Sequence, residues 1–130
     1  MSDISYDFTV PAEKVYVKAL KTLKKSVSDT HKKMLDYHVH KLNRVASYGE
    51  LADAAGLTGF EEAIAEYEQL GKLLGEKMNM GFMESVARPG EPFYASALGG
   101  GNPYKAEGEH YLLALHYEFV AALMKLKWVK

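Results

Sequence analysis

"NRVASYGELADAAGLTGF", residues 43–60, decides how this chain folds. Ser47 and Glu50 have the spacing of a capping box, in which the serine hydroxyl accepts the N3 amide and the glutamate reaches back to the amide of the cap residue itself. Leu51, Ala52 and Ala55 then face inward on a short helix. Gly56 can adopt the left-handed conformation that closes a helix, and Leu57–Gly59 make a tight connection. The stretch therefore predicts a short helix, a turn and the start of another helix.

Outward from it, the periodicity predicts helices on both sides. A first helix is expected from Pro11 to Val27, with Tyr16, Leu20, Leu23 and Val27 on its apolar face. A second starts at Ser28 or Asp29, puts His31, Leu35, His38 and Leu42 on one side, and ends at Asn43–Arg44. Val45–Ala46 reads as a brief extended link. A fourth helix is expected over Phe60–Met78, burying Phe60, Ile64, Tyr67, Gly71, Leu74 and Met78. Gly71 in mid-helix costs roughly 1 kcal/mol against alanine, so the sequence predicts close approach of a neighbouring helix there. FMESVAR and PFYASAL flank a Pro-Gly turn and predict a β-hairpin. Gly99–Pro103 reads as a flexible loop. A last helix is expected over Glu107–Lys127, burying His110, Leu113, Tyr117, Val120, Ala121 and Met124.

The predicted class is mostly α with a small β-hairpin, with about five helices in a winged helix-turn-helix-like order. All 130 residues are expected in one domain: an N-terminal helix pair (1–44), a helix-turn-helix with hairpin (45–104) and a C-terminal helix (105–130). Hydrophobic residues make up 48% and charged residues 25%, enough for a globular core without staples. The absence of cysteine excludes disulfides, thiolate metal sites and a cysteine nucleophile. The chain has no apolar run of membrane-spanning length, which is about 18 residues. The first residues carry two acids and no base, unlike a secretory signal, so a cytoplasmic protein is expected.

"VASYGELADAAG" is similar to the winged-helix part of the alkylguanine DNA alkyltransferase and alkyltransferase-like family. More of the chain, residues 10–129, resembles the non-catalytic N-terminal region of some bacterial HNH-endonuclease restriction proteins. The residues that carry this likeness are Glu50–Gly56, Tyr67-Glu68-Gln69-Leu70-Gly71 and Lys127-Trp128-Val129. The resemblance implies a scaffold and a setting in DNA processing, restriction or phage–host defence. It carries neither chemistry: alkyl transfer needs a cysteine, and HNH cleavage needs a ββα metal unit, which this chain does not contain.

Charge separates along the chain, although the net value is only −1. Residues 13–44 hold nine Lys/Arg against three Asp/Glu, and residues 45–91 hold three against nine. On the fourth helix the outward positions are expected to be Glu62, Glu66, Gln69, Leu73 and Glu76. In a winged helix this element would read the major groove, yet acids there are repelled by phosphates. These residues are therefore the expected face for a protein partner, in a non-enzymatic role of which inhibition is one form. Lys14, Lys18, Lys21 and Lys25 form a basic stripe for nucleic acid or an acidic partner. The alternative is thus a DNA-binding protein docking through that stripe or the hairpin. No aromatic residues interleave with these lysines, so base stacking is not expected.

No catalytic residues, metal ligands or cofactor are expected. His38 and His40 point apart on a helix, and core or boundary positions account for the histidines better than metal ligation. Glu107, Glu109 and His110 suit a helix start. Phe93, Tyr94 and Tyr104 are a candidate exposed aromatic patch, with core packing the simpler account of most of the tyrosines.

Overall fold

The capping signals quoted above all appear in the computed structural model, which describes residues 8–85, 88–101 and 112–129. Helix α1 spans Glu13–Thr22, α2 Asp29–Val39, α3 Tyr48–Ala55, α4 Phe60–Lys77 and α5 Tyr117–Lys125. Five short strands join them: β1 (Val45–Ser47), β2 (Met83–Glu84), β3 (Pro92–Phe93), β4 (Gly99–Gly101) and β5 (Leu112–Leu115). The described chain is mostly α with a small antiparallel sheet and a separate hairpin.

Two capping boxes start helices in the middle of the chain. Ser28 Oγ accepts from His31 N, and Ser28 N donates to His31 Nδ1. Ser47 Oγ accepts from Glu50 N, and Ser47 N donates to Glu50 Oε1. Glu50 Oε2 also takes the Lys41 ammonium at 2.7 Å and the Tyr37 hydroxyl at 3.2 Å. These donors, Lys41 first, hold the Glu50 carboxyl down at about 2. Gly56 ends α3 in the left-handed conformation at φ 72°. Ser47→Ala removes the acceptor for the Glu50 amide and is expected to cost about 1 kcal/mol. A shift of the denaturation midpoint without change of slope checks this.

The sheet differs from expectation. Its strand order is β1-β5-β4, antiparallel throughout, with Val45 opposite Ala114 and Gly99 opposite Leu115. Gly99–Gly101, expected as a loop, is thus an edge strand. A Cβ on Gly99 would lie 2.3 Å from Ala114 O, so glycine is what lets the strands approach. Leu112–Leu115, expected inside the last helix, is the central strand, sending Leu113 and Leu115 into the core. The C-terminal helix therefore begins at Tyr117, not Glu107. Residues 102–111, with Glu107, Glu109 and His110, lie outside the described residues.

Smaller corrections follow the same logic. Helix α1 ends at Thr22, short of Val27, and turns through residues 23–26. Leu42 stands in a 3-10 turn (Leu42–Arg44) and is 84% exposed, off the α2 face. Asn43 and Arg44 there take positive φ values. The expected hairpin forms, but its ladder is only β2 with β3, and a 3-10 helix (Tyr94–Ala97) follows. Phe60, Tyr117 and Met124, expected inside, are exposed.

The core gathers around α4. Tyr67, Leu70 and Leu74 are fully buried, as are Tyr16 and Leu20 of α1, Leu51 of α3, and Phe119 and Leu123 of α5. Side chains of this size are each worth about 1.5–3 kcal/mol on burial. The Tyr16 ring meets Phe119 at 5.4 Å, and its hydroxyl donates to Ala97 O at 2.7 Å. Gly71 does have a close neighbour, the backbone of the 3-10 helix at Tyr94 rather than another α-helix.

Candidate functional site

Three regions of the described surface and interior carry unusual charge or polarity, and all touch α4. The first is its outer edge. Packing buries Ala63, Tyr67, Leu70, Gly71, Leu74 and Gly75. The exposed positions between them are Glu61, Glu62, Ala65, Gln69, Lys72, Glu76 and Lys77. Glu62, Gln69 and Glu76 are therefore where the periodicity put them. Leu73 is half-buried and packs against the core. Glu66 is half-buried too, because His31 on α2 draws it in: Nε2 lies 2.9 Å from Glu66 Oε2. That contact is off the line of a directed hydrogen bond.

The single cation midway along this edge is also occupied. The Lys72 ammonium sits 5.3 Å from the centre of the Tyr94 ring. The flank of α4 at Gly71 is covered by the 3-10 helix, which Glu68 ties down by accepting from Ala95 N at 2.6 Å. Burial raises the Glu68 carboxyl above its ordinary range. Tyr94 and Phe93 are half-buried, and Tyr94 packs edge-on to Phe82 at 4.9 Å. They are not the exposed patch that was expected, and Tyr104 lies outside the described residues.

The second region is basic. Lys14, Lys18 and Lys21 are exposed along α1, and Lys25 is exposed in the turn after it. Only Lys14, Lys18 and Lys21 share the helix, because α1 ends at Thr22, and the basic surface has an addition the sequence did not reveal. Lys77, at the end of α4, faces Lys14 and Lys18 across a groove of about 440 Å³. Val15, Ala19, Thr22 and Met78 complete the lining, with no carboxylate among them.

The third region is internal. His38 is fully buried between α2, α4 and β5. Its Nε2 lies 2.8 Å from Leu113 O, a group that only accepts, so Nε2 carries the proton. Nδ1 then accepts from Tyr67 Oη at 2.9 Å. Desolvation lowers the His38 pKa to about 4. His31 is fixed similarly: Nδ1 accepts the Ser28 amide, so Nε2 carries the proton toward Glu66, and burial lowers its pKa. His116 Nε2 donates to Ser96 O at 2.8 Å, and burial lowers it as well. These three imidazoles serve as neutral internal braces.

Chemically, the arrangement offers charge and shape. Among the described residues no group of three or more His, Asp or Glu comes together to hold a metal. A second groove, of about 590 Å³ between α2 and α3, is lined by Lys33, Asp36, Tyr37, Glu50, Asp53 and Ala54. No described helix is long and apolar enough to cross a membrane. Comparison with protein-family models, with curated proteins and with solved structures finds no match to this chain.

Proposed function

We propose that the chain is a non-enzymatic binding module whose principal partner is a cytoplasmic protein with a basic surface. The observation that carries this is the outer edge of α4. Glu61, Glu62, Gln69 and Glu76 are exposed there, and the exposed cations of α4 are Lys72, set against the Tyr94 ring, and Lys77 at the helix end. A duplex groove lined by phosphates repels such an edge, and the 3-10 helix beside Gly71 narrows the approach further.

Helix-turn-helix order supports the winged-helix part of the reading. The order α2, β1, α3, α4, β4, β5, with β5 central in its sheet, is compatible with that scaffold. On the resemblance to restriction proteins, the setting is DNA processing or phage–host defence, with inhibition of a basic nucleic-acid enzyme as the specific role.

The test is capture of partners from host extract after nuclease treatment, with wild type and with Glu62→Lys/Glu76→Lys. Wild type is expected to retain a protein partner that the reversed variant releases. An unchanged set of bound proteins would refute the reading.

A second reading has its own observation. Lys77 joins Lys14 and Lys18 across the α1 groove, so a phosphate backbone has a place to dock. Duplex affinity would then fall steeply with salt, and each lysine removed would lower the slope by about 1.

A further inference from the structure

The groove between α1 and the end of α4 combines two chemistries. Its rim holds Lys14, Lys18 and Lys77, while Val15, Ala19 and Met78 give it an apolar floor. A phosphate backbone would satisfy the ammonium groups and leave that floor wet. An apolar side chain flanked by carboxylates satisfies both.

This chain presents such a segment itself. Phe60, the first residue of α4, is 56% exposed, and Glu61 and Glu62 beside it are exposed as well. The groove lies at the other end of the same helix. Eighteen residues of α-helix at about 1.5 Å per residue keep the two roughly 25 Å apart. A molecule therefore cannot seat its own Phe60 in its own groove. With a net charge of only −1, copies meet without strong overall repulsion.

We propose that the groove seats Phe60 of a second copy, with Lys14, Lys18 and Lys77 around its Glu61 and Glu62. The contact joins unlike surfaces, so each added copy leaves one groove and one Phe60 free, and the assembly grows head to tail. This inference rests on the reading of the α4 edge as a protein-binding face and names a partner for it.

Sedimentation of the full chain tests it, at concentrations up to about 1 mM, the weak end of specific association. The average mass is expected to rise past a dimer with concentration. The association is expected to weaken about tenfold as salt goes from about 50 to about 500 mM. Phe60→Ser and Lys14→Glu/Lys18→Glu/Lys77→Glu change exposed side chains, and circular dichroism checks that both stay folded. Each variant alone is expected to be monomeric. Mixed, they form a 1:1 dimer and stop, since each brings one intact surface. A monomeric wild type, a closed dimer, or a mixture that does not associate overturns the proposal. Binding of duplex DNA or polyglutamate in the groove of a monomeric wild type also overturns it, by assigning the groove to another occupant. If wild type stays monomeric while Glu62→Lys/Glu76→Lys still releases a basic partner, self-assembly falls and the α4 reading survives.

Discussion

His38→Leu is expected to lower the stability of the fold by about 3 kcal/mol at pH 7, measured by denaturant unfolding. The leucine keeps much of the volume but leaves Tyr67 Oη and Leu113 O buried without the imidazole between them. Each orphaned buried group costs about 1–3 kcal/mol. The loss is large for a domain whose total stability is typically about 5–15 kcal/mol. Adding Tyr67→Phe removes one of the orphans, so the double variant is expected to recover about 1 kcal/mol relative to His38→Leu. A strictly additive double variant would show that the hydroxyl was not relying on His38.

The same residue sets the response to acid. The His38 pKa falls from 6.5 to about 4 on folding. The native state holds the neutral ring while the unfolded chain takes up a proton, so the stability is fully present above pH 6.5. It is lost progressively as the pH falls to about 4. A difference of 2.5 pH units at 1.36 kcal/mol each is about 3 kcal/mol. Burial lowers His31 and His116 too, adding in the same direction. Glu68, raised by burial, opposes them, because its native form takes up a proton earlier. The wild type is thus expected to lose about 3 kcal/mol or more between pH 7 and pH 4, most of it through His38. His38→Leu lacks that contribution, so the two stabilities converge near pH 4. Parallel pH profiles would show that the burial of His38 is not the cause.

Gly71→Val is expected to destabilise by about 3 kcal/mol, and Gly71→Ala by about 2. A Cβ at this position would sit 2.2 Å from Tyr94 O, 2.7 Å from its carbonyl carbon and 3.0 Å from Ala95 Cα. These are backbone atoms, and the segment that carries them is tied on several sides. Glu68 holds Ala95 N, Tyr16 Oη donates to Ala97 O, and His116 donates to Ser96 O. The 3-10 helix cannot step back without breaking one of these. Alanine gains about 1 kcal/mol of helix propensity over glycine, which offsets only part of the overpacking cost. Gly49→Ala in α3 is the control, since its Cβ would meet nothing nearer than Ser47 Oγ at 3.8 Å. It is expected to stabilise by about 0.5–1 kcal/mol. Stabilisation at Gly71 as well would mean that the contact with Tyr94 is loose.

The two glycines illustrate what a sequence reveals. Gly71 interrupts a clean 3.6-residue pattern, which announces close approach of a helix without saying that it is the short 3-10 segment at Tyr94. Gly99 stands in a run of three, and glycine runs read as breaks. Its role appears only when Ala114 O of the adjacent strand is seen to need the space. Leu112–Leu115 has four apolar residues in a row, which fit a buried strand and a buried helix alike. The Ser47–Glu50 capping box is legible because its partners are three residues apart and glutamate is the usual third residue; at Ser28 only a cap is legible, since the histidine that completes the box is not part of the sequence signature. The surface was readable in outline and not in detail. Glu62, Gln69 and Glu76 follow from helical phase alone. Glu66 turns inward because of His31, and the Lys14–Lys18 stripe gains Lys77 only through folding; both are distant in sequence. Helical phase puts His31 and His38 at core or boundary positions; their bonds to Ser28, Tyr67 and Leu113 appear only in the packed arrangement.

On the proposed function, the exposed carboxylates of α4 keep this helix out of nucleic acid and give it to a protein. Amide chemical shifts of the labelled chain, titrated with duplex DNA at low ionic strength, test this residue by residue. No displacement is expected along Glu61, Glu62, Gln69 and Glu76, whatever happens at the lysines of α1. Saturable shifts centred on those four positions, lost on raising the salt, would contradict it.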